Sequence, residues 1–294
     1  MQTKAVPFSS KILAALVLSA CASWTAAAEA PPVAASELGN GLYFISGGGG
    51  ANSSALIGDE GVLVVDSKLD IASADAEIAV IKGLTPGNIR FLINTHEHPD
   101  HTGGNLSYGN LGAVIIGHED VYQILTAGQR GGPPEPLQAR PSITFGNGGG
   151  LTLHFNGETL EVKHMPPAHA ASNSIVHFVT ANVYQMGDVF SGDRYPTMAG
   201  GTLQGFIDGV DQVLAEANAS ARFIPGNGPV GDRAALESYR AMLGNAQSSA
   251  AQAIKEGKSL EDFLASKPTA ATDATYGDPA RFLTAVYNQA KEAQ

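Results

Sequence analysis

Between residues 42 and 117, apolar residues fall into short runs separated by glycine and polar turns: LYFI (42–45), SALIG (54–58), VLVVD (62–66), RFLIN (90–94) and AVIIG (113–117). Runs of this length, rich in β-branched and aromatic residues, predict strands. The segment ASADAEIAVIKGL (72–84) instead spaces its apolar residues at helical intervals, and TPGN (85–88) stops it. A second strand-rich stretch covers 151–226. LTLHFNGETLEVKH (151–164) alternates apolar and polar positions around Asn156-Gly157, the strongest short-range hairpin signal. SIVHFVT (174–180), NVYQMG (182–187) and RFIPG (222–226) follow it, and helical spacing recurs over 203–218, 232–256, 259–266 and 278–292. Two strand-rich blocks with interspersed helices predict two packed sheets covered by helices. The expected organisation is one α/β domain over 29–294 with a helical C-terminal tail.

The connections are uneven. EAPPVAASE (29–37) reads as a flexible leader. AGQRGGPPEPLQARP (127–141) is long for a plain connection, so it is either mobile or faces a substrate. SGDRYPTMAGGT (191–202) has the same two readings. Within it, Tyr195 has two candidate roles, a hydroxyl donor to a substrate oxygen or a packing residue.

With 44% hydrophobic and 15% charged residues in 294, the composition suits a globular chain with a sizeable core. The first 28 residues differ in kind. Lys4 and Lys11 precede the apolar run Ile12 to Ala20, and small residues ending at Ala26–Ala28 follow. This pattern predicts a secretory signal peptide over 1–28 and an exported, periplasmic protein. Leu18-Ser19-Ala20-Cys21 also resembles a lipobox, in which Cys21 would carry a lipid anchor. That anchor is the one membrane attachment expected. Residues 1–28 hold two lysines and no acid, so their removal takes the net charge from −11 to −13. Such an acidic body is a poor nucleic-acid partner, which leaves a small-molecule substrate as the expected partner. Cys21 is the only cysteine, so metal ligands in the body must be His, Asp, Glu or neutral oxygen donors.

The chemistry concentrates in INTHEHPDHTGGN (93–105). His96, His98, Asp100 and His101 fall within six residues, directly after a strand with a buried pattern. Period-two spacing at a strand end sends His96, His98 and Asp100 to one side. His and Asp without Cys suit zinc, and also iron or manganese. His118, His154, His164 and His177 lack ligand-like spacing and read as structural, with His164 near enough in sequence to support a ligand loop.

These residues resemble the His-x-His-x-Asp-His signature of the metallo-β-lactamase superfamily, matched in full by His96, His98, Asp100 and His101. GDEGVLVVDSK (58–68), with Asp66, is similar to the family's preceding segment. PPAHAASNSIVHF (166–178) resembles the segment that supplies a third histidine, at His169, and YQMGDVFSG (184–192) resembles the one that supplies a bridging aspartate, at Asp188. FIPGNGPVGD resembles the closing Pro-Gly-His-Gly-Pro segment, but Asn227 stands where that histidine would be. The resemblance implies an αββα sandwich of two mixed β-sheets flanked by helices. It also implies a first metal held by His96, His98 and His169, and a second held by Asp100 and His101, with Asp188 bridging and Asn227 a doubtful ligand. Asp100 would orient the attacking hydroxide and assist proton transfer. Ala170, Ala171 and Asn173 depart from the family pattern after the third histidine, which predicts a weaker supporting shell. Asp66 would either hold a ligand histidine or cap a turn.

The function implied is that of an exported zinc-dependent hydrolase attacking the carbonyl of a lactam, lactone, ester or thioester. Aspartate at the bridging position resembles the glyoxalase II, lactonase and phosphodiesterase branches, while the HTGGN continuation resembles periplasmic β-lactamase-like proteins. Two alternatives remain: a metal-binding protein whose second site has degenerated, and a mononuclear iron enzyme of the persulfide-oxidising kind.

Overall fold

Seven strands build the first sheet of the computed structural model: β1 (Ala34–Gly39), β2 (Leu42–Ser46), β3 (Ser53–Gly58), β4 (Gly61–Val65), β5 (Ile89–Ile93), β6 (Val114–His118) and β7 (Ile143–Phe145), in that order. The structure describes residues 1–2 and 30–293, so the signal-peptide and Cys21 expectations lie outside the described residues. Pairing is antiparallel from β1 to β4 and parallel from β4 to β7. The parallel half needs crossovers, and α1 (Ile71–Leu84) supplies the first. Asp70 caps this helix by accepting from the Ser73 amide at 2.8 Å. The short helices α2 (Pro99–Thr102), α3 (Asn105–Asn110) and α4 (Glu119–Ala127) occupy the next two connections.

The second sheet uses β8 (Gly150–Phe155), β9 (Glu158–His164), β10 (Ser174–Phe178), β11 (Val183–Gln185), β12 (Arg222–Ile224) and β13 (Gly231–Asp232), in the order β13-β12-β11-β10-β9-β8. Its one parallel pair is β11–β12, joined through α5 (Leu203–Glu216). Asn156 and Gly157 both adopt positive φ, 54° and 73°, as a tight β8–β9 hairpin turn requires. α6 (Arg233–Lys255), α7 (Leu260–Ala265), α8 (Asp273–Tyr276) and α9 (Ala280–Glu292) complete the chain.

Burial follows the pleat. In β4, Leu63 and Val65 face the second sheet with Val162, Val176, Phe178 and Ile224, while Val62 and Val64 face α1 and α3 with Ala74, Ile81 and Tyr108. A third apolar layer, including Phe206, Val210, Phe223, Tyr239 and Val286, joins the second sheet to α5, α6 and α9. The three layers make an αββα sandwich of two mixed sheets, and each fully buried aliphatic side chain within them contributes roughly 1.5–3 kcal/mol.

Two differences from the sequence reading have local causes. Residues 34–39 are not a free leader but the edge strand β1, with Ala35 opposite Ile45. None of its side chains is buried, which erases the alternation that would mark it. Asp100 is not on a continued strand, because Pro99 opens α2 and strand geometry ends at Ile93.

Candidate metal centre

Parallel pairing of β4, β5 and β6 places their C-terminal ends along one edge of the sandwich, where open α/β sheets present their chemistry. β11 and β12 of the second sheet end toward the same place. β4 leads to Asp66, β5 to the segment 94–101, β11 to Asp188 and β12 to Asn227.

His96, His98 and His169 come together there. His96 Nε2 lies 3.1 Å from His98 Nδ1, which lies 2.7 Å from His169 Nε2. His96, His101 and Asp188 form a second group sharing the same side chain. Asp188 sits between the groups, with Oδ1 3.3 Å from His101 Nε2 and Oδ2 3.3 Å from His169 Nε2. Asp100 Oδ2 is farther out, 3.7 Å from His101 Nε2, with its side chain 38% exposed. The Asn227 amide donates to Asp188 Oδ1 at 3.4 Å, so residue 227 faces the second group.

The outer ring nitrogens have partners that leave the inner ones free. His101 Nδ1 is 2.8 Å from Asp66 Oδ2, and His169 Nδ1 donates to the Thr197 carbonyl at 2.6 Å. His96 Nδ1 lies 3.2 Å from Thr95 Oγ1. Asp66 is itself fixed, since it accepts from the amide and hydroxyl of Thr95 at 2.8 and 2.9 Å. Of its two expected roles the first is therefore seen: it holds a histidine of the cluster. His101 Nε2 is buried and meets the Asp188 carboxylate at 3.3 Å without a well-aligned hydrogen bond. A buried imidazole nitrogen and a carboxylate turned toward each other at that distance fit a cation between them, as does a convergent trio of nitrogens. Zinc, iron or manganese would be held here by His96, His98 and His169, and by His101 with Asp188.

The electrostatics agree. Burial, then the charges of His101, His169 and His98, holds His96 well below its ordinary value. Burial and His169 lower His98 in the same direction. Burial also opposes charge on His101, but Asp66 and Asp188 outweigh it and raise that histidine well above the usual range. Burial works against the Asp188 carboxylate too, yet His101, with smaller contributions from His169 and His98, brings it down to about 2. The cluster thus offers neutral nitrogens on one side and an imidazolium clasped by carboxylates on the other.

Tyr195 is the expected site residue that the structure places elsewhere. Its hydroxyl donates to Asp273 Oδ1 at 2.7 Å and lies 2.9 Å from Thr272 Oγ1, and its ring stacks on Phe282. Only 7% of the residue is exposed, so it fastens the C-terminal helices and offers no hydroxyl to a substrate. His164 does support a ligand loop, since its Nε2 donates to the Ala171 carbonyl at 2.9 Å. Its ring stacks on His118. The expected thinning after His169 is partly made good by Ser172, whose hydroxyl donates to Glu97.

Sequence reasoning did not single out Thr95, Glu97, Ser172 or Asn52. Asn52 is buried beneath residue 227, and its side-chain amide donates to the Pro225 and Gly228 carbonyls at 3.0 and 2.8 Å. The one signal was position: Thr95 and Glu97 lie inside the histidine motif.

Comparison with known proteins places this geometry. In sequence, 143 residues are 26% identical to the 2,4-dinitroanisole O-demethylase subunit alpha of Nocardioides sp. (strain JS1661). That match takes in 48% of this chain and 42% of the relative, so it spans less than half of the relative's length. In structure, the chain resembles the stereoselective inverting sec-alkylsulfatase Pisa1 from Pseudomonas sp., with a TM-score of 0.72 and 15% identity, over 87% of this chain and 50% of that one. It also resembles a metallo-β-lactamase from Pontibacter korlensis, with a TM-score of 0.62 and 16% identity, over 72% of this chain and 99% of that one. The family model of the metallo-β-lactamase superfamily matches residues 46–249, from the end of β2 into α6. With its layers, its sheet order and its histidine cluster at the strand ends, this chain belongs to the metallo-β-lactamase superfamily.

Proposed function

We propose that the chain is an exported, zinc-dependent hydrolase acting on the carbonyl of a small lactam, lactone, ester or thioester. The supporting observation is the convergence of His96 Nε2, His98 Nδ1 and His169 Nε2 beside two carboxylates. When bound, the metal supplies Lewis acidity that brings the pKa of water near 7. The protein's own part is to orient and to move protons. Asp66 and Thr95 fix the imidazoles of the cluster, and Asp188 holds its two carboxylate oxygens toward the two sites. Asp100, at the open side, aligns the attacking water and carries its proton toward the leaving group.

Metal analysis of the protein from residue 29 onward, with a hydrolysis screen over those four substrate classes, tests the reading. Zinc and turnover on one class are expected, and Asp100→Ala should lower kcat by about 10²–10⁴-fold with the fold intact. Full activity in that variant would remove Asp100 from the mechanism. The second reading, a metal-binding protein without turnover, is favoured by the Asn227 amide facing Asp188. One zinc per chain and no hydrolysis would select it, and iron with oxygen consumption would select persulfide oxidation.

A further inference from the structure

We propose that Glu97, the residue between the first two histidines, is a positioning residue that straps the His169 loop onto the His96–His98 loop through Ser172. This inference rests on reading His96, His98 and His169 as a metal site.

The two loops meet at only a few points besides the histidines. At their root, the Ser174 amide donates to the Thr95 carbonyl at 2.8 Å. At the rim, the fully buried Ser172 donates its hydroxyl to Glu97 Oε2. The other bonds of His169 run to a different segment, from its Nδ1 to the Thr197 carbonyl and to its own carbonyl from the Ala199 amide. They fix the ring within its own half of the site but not against the other half. One cross-loop bond would leave the His169 loop free to pivot about Ser174, whereas two set its angle.

Glu97 is a firm base for such a strap. Its carbonyl accepts from Gln129 Nε2 at 2.7 Å and from Thr102 Oγ1 at 3.1 Å, and Gln129 also donates to Thr102 Oγ1 at 2.9 Å. The side chain therefore stands on backbone tied both to α2 and to the 127–141 connection. Glu97 makes no hydrogen bond to a ring nitrogen of the cluster, so it acts through loop geometry. A strap of this kind explains how three nitrogens from segments far apart in sequence stay convergent although Ala170 and Ala171 offer no polar side chain.

The test compares the parent protein with Ser172→Ala, Glu97→Ala, Glu97→Gln and the double variant Ser172→Ala/Glu97→Ala. Zinc dissociation constants come from competition with a chromophoric chelator, and cobalt substitution reports ligand geometry through its visible bands. Loss of an outer contact typically weakens metal binding 10–100-fold, so each alanine variant should lose about 10-fold and shift the cobalt spectrum. The double variant should be no weaker than either single one, because both remove the same contact. Glu97→Gln keeps an oxygen acceptor for Ser172 and should recover most of the affinity. Thermal unfolding of the metal-free variants should show a loss of no more than about 1 kcal/mol, the usual worth of one buried hydroxyl's hydrogen bond. Alanine variants within about twofold of the parent, or losses that multiply in the double variant, would overturn the strap. Metal-free chains destabilised by more than that, with a cobalt spectrum like the parent's, would reduce it to a packing contact and overturn it as well. A parent protein that binds no zinc would sink the metal reading itself, and this inference with it.

Discussion

At the scale of single residues, Asn227 marks the site's asymmetry. The loop that carries it is held by Asn52, and Gly226 before it has no room for a side chain, since a Cβ there would lie 1.9 Å from Asp188 Oδ1. The backbone is therefore built to bring residue 227 to the second group, and what it brings is a neutral amide. His101, clasped between Asp66 and Asp188, keeps its proton above the usual imidazole range, whereas His96 is kept from taking one. A metal at the first site meets the free lone pairs of His96 and His98, while one at the second must displace the proton of His101. The sign follows: second-site occupancy should rise with pH through neutrality, and first-site occupancy should saturate at lower pH. Zinc titrations at pH 6 and pH 8 should give about one equivalent at the lower pH and a second, weaker one at the higher. Asn227→His should tighten that second equivalent about 10-fold. A second equivalent that binds as tightly at pH 6 as at pH 8 would contradict this ordering.

At the scale of elements, the C-terminal helices are docked partly through Tyr195, whose hydroxyl reaches the segment between α7 and α8 and the first residue of α8. Tyr195→Phe should therefore cost roughly 1 kcal/mol of stability, the usual worth of a buried hydroxyl's hydrogen bonds, and leave hydrolysis unchanged. A large loss of kcat with unaltered stability would return Tyr195 to the substrate. This residue also shows where the sequence stopped being legible. A tyrosine in a Gly/Pro-rich loop has the same local signature whether it faces a ligand or a helix 78 residues away. The four residues at 96–101 were readable because their proximity is local, and β4, α1 and the β8–β9 hairpin because their periodicity is. The edge strand β1 and the three-residue β7 have too few buried positions to show a period. α3 escaped because its six residues include two Asn and a Gly, poor helix formers held in place by tertiary contacts such as the burial of Tyr108. Asn52, Glu97 and Ser172 act across long sequence separations, which no local pattern encodes.

At the scale of the whole molecule, the candidate centre lies across the seam of the sandwich. The first sheet contributes His96, His98 and His101, and the second contributes His169, Asp188 and Asn227. His98 and His169 are 71 residues apart in the chain, so the cluster exists only after the two sheets have docked. The consequence is kinetic. A cation that grips both halves strengthens contacts that form late, and such contacts slow unfolding without hastening folding. At 100 times its dissociation constant, zinc should stabilise the chain by about 2.7 kcal/mol. In stopped-flow experiments nearly all of that should appear as slower unfolding, with refolding rates equal in chelator and in zinc. Faster refolding in zinc would mean that the ion gathers its ligands before the sheets meet. A chain that captures its ion last is most exposed while still empty, and the bound ion then acts as a latch whose release sets the lifetime of the folded protein.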